Sequence, residues 1–105
     1  MKILFVCSRN EWRSPTAETI YKNHDFIVAK SAGTSPSARI KINQKHVEWA
    51  DLIFVMEKKH RQLIEQKFGN ELDRQKIIVL NIPDEYQYMD EELIEELEAK
   101  VSAYL

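Results

Sequence analysis

A single cysteine in 105 residues rules out an internal disulfide framework and any multi-thiolate metal site, so Cys7 has to be accounted for alone. Charge of one sign is also missing. With 15 Lys and Arg against 17 Asp and Glu, the net charge is -2, which gives no electrostatic reason for nucleic acid or an anionic membrane to be the main partner. Any attraction for an anion must then be local. Long hydrophobic runs are absent too: near the start the longest is Ile3 to Val6, far shorter than a signal-peptide core or a membrane span, and a cytoplasmic location is expected. His24, His46 and His60 do not fall at metal-ligand spacing and are expected on the surface. No repeat, low-complexity stretch or linker divides residues 1–105, so one domain is expected.

What is present is the balance of an ordinary globular domain, 44% hydrophobic and 30% charged. Four short apolar runs, Ile3 to Val6, Phe26 to Ala29, Leu52 to Met56 and Ile77 to Leu80, lack polar alternation, as strands buried on both faces of a parallel sheet do. Helical segments separate them. Pro15 to Asn23 starts with Ser14 as a natural N-cap and Pro15 at the first helical position. Asn43 can cap a short helix through Ala50, and Gly33 with Pro36 marks a loop before it. Glu57 to Phe68 carries Leu63, Ile64 and Phe68 on one side and ends at Gly69, a residue suited to a left-handed helix end. Asp90 can cap a last helix with Leu93, Ile94, Leu97, Val101 and Tyr104 in one apolar stripe. Its glutamates at 91, 92, 95, 96 and 98 read as a solvated face that also suits the helix dipole. This alternation predicts an open α/β sheet of four parallel strands with helices on both faces. Ligands bind such sheets beyond the carboxyl ends of the strands, where Cys7 sits.

Directly after the first strand comes Cys7-Ser8-Arg9-Asn10-Glu11-Trp12-Arg13-Ser14-Pro15. A loop of that length, curling from a strand into a helix N-terminus, can aim the backbone N–H groups of Ser8, Arg9, Asn10, Glu11 and Trp12 at one centre where the helix dipole also favours an anion. The same field, with the fixed charge of Arg13, stabilises a thiolate at Cys7, and the thiolate is the nucleophile. Arg13 can grip two phosphoryl oxygens with its planar fork, and Ser14 can hand its hydroxyl proton to the sulfur. Asn10 tolerates the left-handed backbone that a tight anion nest requires. Cys-x5-Arg alone is a weak pattern, and its placement between a buried strand and a Ser-Pro helix start makes it specific.

Carried by Cys7 to Glu18 (CSRNEWRSPTAE), Ser31 to Thr34 (SAGT), Ala50 to Met56 (ADLIFVM) and Pro83 to Tyr86 (PDEY), the chain resembles the low-molecular-weight protein tyrosine phosphatase family, in particular a shortened branch of predicted phosphatases. The resemblance spans nearly the whole chain. It implies strand order 2-1-3-4, a cysteinyl-phosphate intermediate, no metal or other cofactor, and a phosphotyrosine-like monoester as substrate. Phosphorylated protein or a small phosphate ester would be the partner, with inorganic phosphate as product. Residue by residue, it implies Cys7 as nucleophile, Arg13 as phosphate clamp, Ser14 as thiolate partner, Asn10 and Ser31 as a hydrogen-bonded pair that holds the loop, and Asp84 as general acid.

The chain departs from the family at several of these places. Arg9 replaces a usual glycine, and either reaches toward an anionic substrate or lies in solvent. Trp12 stands where many members carry a second cysteine, and either walls the pocket or packs beneath the loop. Glu85 replaces the proline that usually follows the acid, which loosens that loop and offers a second carboxylate. Tyr86 and Tyr88 can supply an aromatic edge for a phenyl ring. Two other readings remain: a phosphate or phosphoprotein binding module that is catalytically weak, and arsenate reduction, which with one cysteine needs an external thiol for the second sulfur.

Overall fold

The computed structural model describes residues 1–69, 72 and 76–105. Four strands, β1 (Lys2–Cys7), β2 (Val28–Gly33), β3 (Leu52–Val55) and β4 (Lys76–Val79), alternate with α1 (Arg13–Tyr21), α2 (Gln44–Trp49), α3 (Lys58–Phe68) and α4 (Glu91–Ser102). The strands form one sheet in the order β2-β1-β3-β4, and every pairing is parallel. The expected fold class and strand order are observed. Because β1 lies between β2 and β3, the connections leave it in opposite directions, and the crevice beyond its carboxyl end is where such sheets take ligands.

The alternation of side chains along β1 divides the core into two layers. Ile3, Phe5 and Cys7 pack on one face with Ala17 and Tyr21 of α1 and Leu93, Leu97 and Val101 of α4. Leu4 and Val6 pack on the other with Val47 of α2 and Ile64 and Phe68 of α3. Each fully buried aliphatic or aromatic side chain contributes roughly 1.5–3 kcal/mol over an exposed one, so β1 is the strand that binds both layers. Phe5 stacks on Tyr21 and Phe54 with ring centroids 5.8 and 5.6 Å apart. No helix among the described residues is long and apolar enough to cross a membrane.

Several boundaries differ from expectation, each for a physical reason. The run Phe26 to Ala29 is displaced: the strand is Val28–Gly33, and Phe26 is 79% exposed. As an edge strand, β2 needs less apolar sequence than a central one, so Lys30 and Ser31 belong to it. The first helix begins at Arg13, not Pro15, and ends at Tyr21; its N-cap is Trp12, with no side-chain cap. Ser14 is inside the helix, its hydroxyl used elsewhere. Asn43 and Asp90 do cap α2 and α4, accepting from the backbone N–H groups of His46 and Glu92. Gly69 is right-handed with φ -49. Positive φ falls instead on Asn10 (57), Asn81 (57) and Met89 (63) among the described residues. On α3 the buried stripe is His60, Ile64 and Phe68, four residues apart, while Leu63 is exposed. Tyr104 lies beyond the end of α4 and is half exposed.

Candidate active site

The segment between β1 and α1 is shaped by where its carbonyls go. The oxygens of Cys7, Ser8 and Arg9 accept from the N–H groups of Thr34, Ser35 and Arg39 at 3.0, 2.8 and 3.0 Å, and Asn10 O accepts from Arg39 Nε at 3.0 Å. The chain after β2 thus binds the first four carbonyls of the loop, Cys7 to Asn10, while Trp12 O accepts from Thr16 in the first turn of α1. The N–H groups of Ser8 to Trp12 donate to no protein acceptor among the described residues. Asn10, at φ 57, supplies the left-handed step that keeps the loop curled, as expected for Asn. Arg9 needs no such backbone despite standing where the family has glycine.

Close approach between the loop and the end of β2 depends on Gly33. A Cβ there would meet Ser8 O at 2.5 Å, Ala38 Cβ at 2.7 Å and Asn10 N at 3.0 Å. Gly33 is the last residue of β2, paired with Cys7, so it belongs to the strand and not to the loop expected there.

Cys7 is 3% exposed, and it lines a small pocket with Ser8, Arg9, Glu11, Trp12, Arg13 and Asp84. Beneath it, Ser14 Oγ lies 3.0 Å from Cys7 Sγ. Asn10 Nδ2 donates to Ser14 Oγ at 2.8 Å, which leaves the Ser14 proton for the sulfur or for Ala32 O, 3.3 Å away. The pairing of Asn10 with Ser31 is not formed. Ser31 donates to the Glu18 carboxylate at 2.5 Å, a charge-assisted bond stronger than one to a neutral amide, and Asn10 Oδ1 is buried without a partner among the described residues.

Arg13 is 2% exposed and is held from behind. Its Nη1 donates to Glu57 Oε2 at 2.5 Å and to Ile82 O at 2.8 Å. Both protons of that nitrogen are thereby used, leaving the Nε and Nη2 edge for an oxyanion. Burial works against charge on Glu57, but the hydrogen bond and charge of Arg13, with help from Lys59 and His60, outweigh it and hold its carboxyl below the usual range.

Asp84 Oδ1 stands 3.7 Å from Arg13 Nε at the pocket mouth, half exposed. The loop that carries it is tied down on both sides: Lys100 Nζ donates to Asn81 O at 2.9 Å, Tyr88 Oη meets Thr19 Oγ1 at 2.8 Å, and Met89 N donates to Thr16 Oγ1 at 2.9 Å. Tyr86 does not face the pocket. It packs on the core and donates to Glu96 Oε2 at 3.1 Å, because α4 presents that carboxylate to it. Glu85 is exposed and does not line the pocket. Trp12, 41% exposed, walls the pocket. Arg9 is on its rim, largely in solvent, and pairs with Glu11 at 3.4 Å.

The sequence reading does not single out Glu57 or His60. His60, expected on the surface, is fully buried, with Nε2 2.8 Å from Ser8 Oγ. Its place four residues before Ile64 on the buried stripe is the signal that marks it.

A parallel α/β sheet whose first strand ends in a cysteine loop, with N–H groups that meet no protein acceptor among the described residues and an arginine braced by Glu57, defines a class of α/β proteins with a cysteine loop at the carboxyl end of a central strand. No protein-family model matches the chain. Among curated proteins it is similar to the low molecular weight protein-tyrosine-phosphatase PtpB of Staphylococcus aureus, 34% identical over 91 residues, 66% of this chain and 66% of that protein. It is similar also to the protein-arginine-phosphatase of Bacillus subtilis, 30% identical over 101 residues, 70% of this chain and 67% of that protein. The matches thus span about two thirds of the length of these relatives. Among solved structures, the Vibrio vulnificus Wzb in complex with benzylphosphonate shares the fold with TM-score 0.77 at 20% identity, over 98% of this chain and 95% of that one. The Bacillus subtilis YwlE mutant does so with TM-score 0.72 at 22% identity, over 99% and 98%. The chain belongs to the low-molecular-weight protein tyrosine phosphatase family.

Proposed function

We propose that the chain is a cytoplasmic phosphomonoesterase that works through a cysteinyl-phosphate intermediate. The observation that carries this reading is the run of N–H groups from Ser8 to Trp12 without protein acceptors among the described residues, in a loop that lines one pocket with Cys7, Arg13 and Asp84. Three equatorial phosphoryl oxygens fit such a nest. Cys7 Sγ attacks phosphorus, the bond from phosphorus to the ester oxygen breaks, and Asp84 gives its proton to the departing oxygen. Water then attacks the thiophosphate with Asp84 as base, and Ser14 returns its hydrogen bond to the sulfur as inorganic phosphate leaves. Arg13 stabilises the charge that spreads over the phosphoryl oxygens in both steps.

Phosphorylated protein is the proposed partner. The curated relatives are named for tyrosine and arginine phosphatase activity, so phosphotyrosine and phosphoarginine peptides are the substrates to compare. Trp12, one of whose two expected places was the pocket wall, offers the aromatic surface, whereas Tyr86 and Tyr88, expected to supply an aromatic edge, are bonded to Glu96 and Thr19.

In an aryl phosphate assay, Cys7→Ser is expected to lose turnover while still binding phosphate or vanadate, since the nest and Arg13 remain. Retained hydrolysis by that variant would overturn the mechanism. The proton donor is tested by leaving group. A positioned acid contributes about 100- to 10,000-fold, so Asp84→Asn should slow phenyl phosphate far more than nitrophenyl phosphate, and Glu85→Gln should show little of that dependence. A leaving-group effect that follows Glu85 instead would move the acid one residue on.

A further inference from the structure

Both serines flanking the nucleophile receive a hydrogen bond on their oxygen. For Ser14 the donor is the Asn10 amide, and the freed proton serves the sulfur. For Ser8 the partner is His60 Nε2 at 2.8 Å, and which of the two donates follows from the other ring nitrogen. His60 Nδ1 lies 3.0 Å from the backbone nitrogen of Glu57 and accepts its hydrogen. A backbone N–H has no alternative but to donate, so Nδ1 carries a lone pair and no proton. The ring is then the neutral tautomer with its proton on Nε2, and Nε2 donates to Ser8 Oγ. With that lone pair occupied, the hydroxyl proton of Ser8 turns away from the histidine. Ser8 lines the pocket floored by Cys7, and His60 does not.

We propose that His60 is a positioning residue that aims the Ser8 hydroxyl proton into the pocket, making Ser8 Oγ a side-chain donor to the phosphoryl group above Cys7. The proposal rests on the phosphatase reading of the same site. The surroundings of His60 agree with the neutral tautomer: burial is the main force against its protonation, the Arg13 charge adds to it, Glu57 opposes, and Lys59 adds a little. A histidine used only to fill the core and cap α3 would need the bond to Glu57 N and nothing more. The second bond, to a pocket-lining hydroxyl, is what a purely structural role leaves unexplained.

The two ring nitrogens can be tested separately, because the amide of Asn stands at the δ position and the amide of Gln reaches the ε position. His60→Asn keeps an acceptor for Glu57 N and loses the contact with Ser8. His60→Gln keeps a donor for Ser8. Inorganic phosphate binding is measured by calorimetry on the whole chain, with thermal midpoints alongside. Ser8→Ala and His60→Asn are each expected to weaken phosphate binding roughly 10-fold or more, the scale of one lost hydrogen bond to a charged group. The double variant should bind no more weakly than either single one, and His60→Gln should stay within about threefold of the parent, well under one full bond of that kind. Parent-like phosphate binding by Ser8→Ala overturns the proposal, whether or not the His60 variants fold. Losses that multiply in the double variant overturn it as well, since they would mean independent roles. If the parent chain binds no phosphate, the oxyanion site itself fails and the proposal with it, an outcome distinct from the other two.

Discussion

Arg13 has one guanidinium nitrogen committed to the protein, through Glu57 and Ile82 O, and an opposite edge directed at the pocket. Lysine offers three protons from a single point and cannot divide them between a brace behind and a fork in front. Arg13→Lys should therefore lose at least roughly 100-fold in kcat, the scale for one preorganised donor to transition-state charge. A loss of only a few-fold would mean that Arg13 does not contact the transferring group. At this scale the sequence spoke unevenly. Cys7, Arg13, Ser14 and the left-handed Asn10 were legible, because each belongs to one contiguous stretch whose spacing has a geometric use. Glu57 and His60 were not, since they reach the loop from the start of α3, some fifty residues on, and nothing local in a Glu or a His announces its target. The partner of Ser31 was misread for a related reason: Glu18 sits on α1 within reach of it, and a charged acceptor takes the hydroxyl before a neutral amide can.

The elements that present these residues meet at the carboxyl ends of all four strands. β1 brings the loop, β2 the backing chain from Thr34 to Arg39, β3 leads into Glu57, and β4 into Ile82 and Asp84. The contact of β2 with the loop is backbone on backbone, which side-chain adjustment cannot relieve. Gly33→Ala should push the loop off its register, costing about 100-fold in kcat/KM if the shift approaches 1 Å, with phosphate affinity falling in parallel. An alanine variant with the parent rate would show that the loop has room to spare. The succession of strands and helices along the chain was legible from apolar runs and caps, the sheet order 2-1-3-4 came with the family resemblance, and the boundaries slipped. The largest slip, at β2, arose because an edge strand is half free of the core and its sequence is correspondingly polar. The start of α1 slipped because Ser14-Pro15 looks like a cap, whereas Trp12 precedes a helix whose first N–H groups have no side chain to receive them.

For the molecule as a whole, a buried neutral histidine at the junction of β1 and α3 makes acid stability a folding property. His60 titrates near 6.5 when unfolded and is lowered to about 4 in the native state, chiefly by burial and then by Arg13. Between those values the unfolded chain holds a proton that the native one lacks, so stability falls as pH drops from about 6.5 toward 4, by about 3 kcal/mol if the whole shift is realised. Glu57, held below its ordinary value, loses its contribution further down, as pH falls through its lowered value. Denaturant unfolding at pH 5 and pH 7 checks this, and His60→Gln should flatten the difference; an unchanged slope in that variant would place the proton elsewhere. The three left-handed residues, Asn10, Asn81 and Met89, also bear on the chain before it folds. With two glycines in 105 residues, none at a positive φ among the described residues, the unfolded ensemble is narrow. Each such position filled by a non-glycine residue starts with fewer conformations to lose, worth about 0.4–1 kcal/mol, against the cost of about 1–2 kcal/mol that a side chain adds to a left-handed backbone. The oxyanion loop is thus assembled from a stiff chain, and the entropy that a glycine-rich loop would surrender on closing has already been given up in the choice of residues.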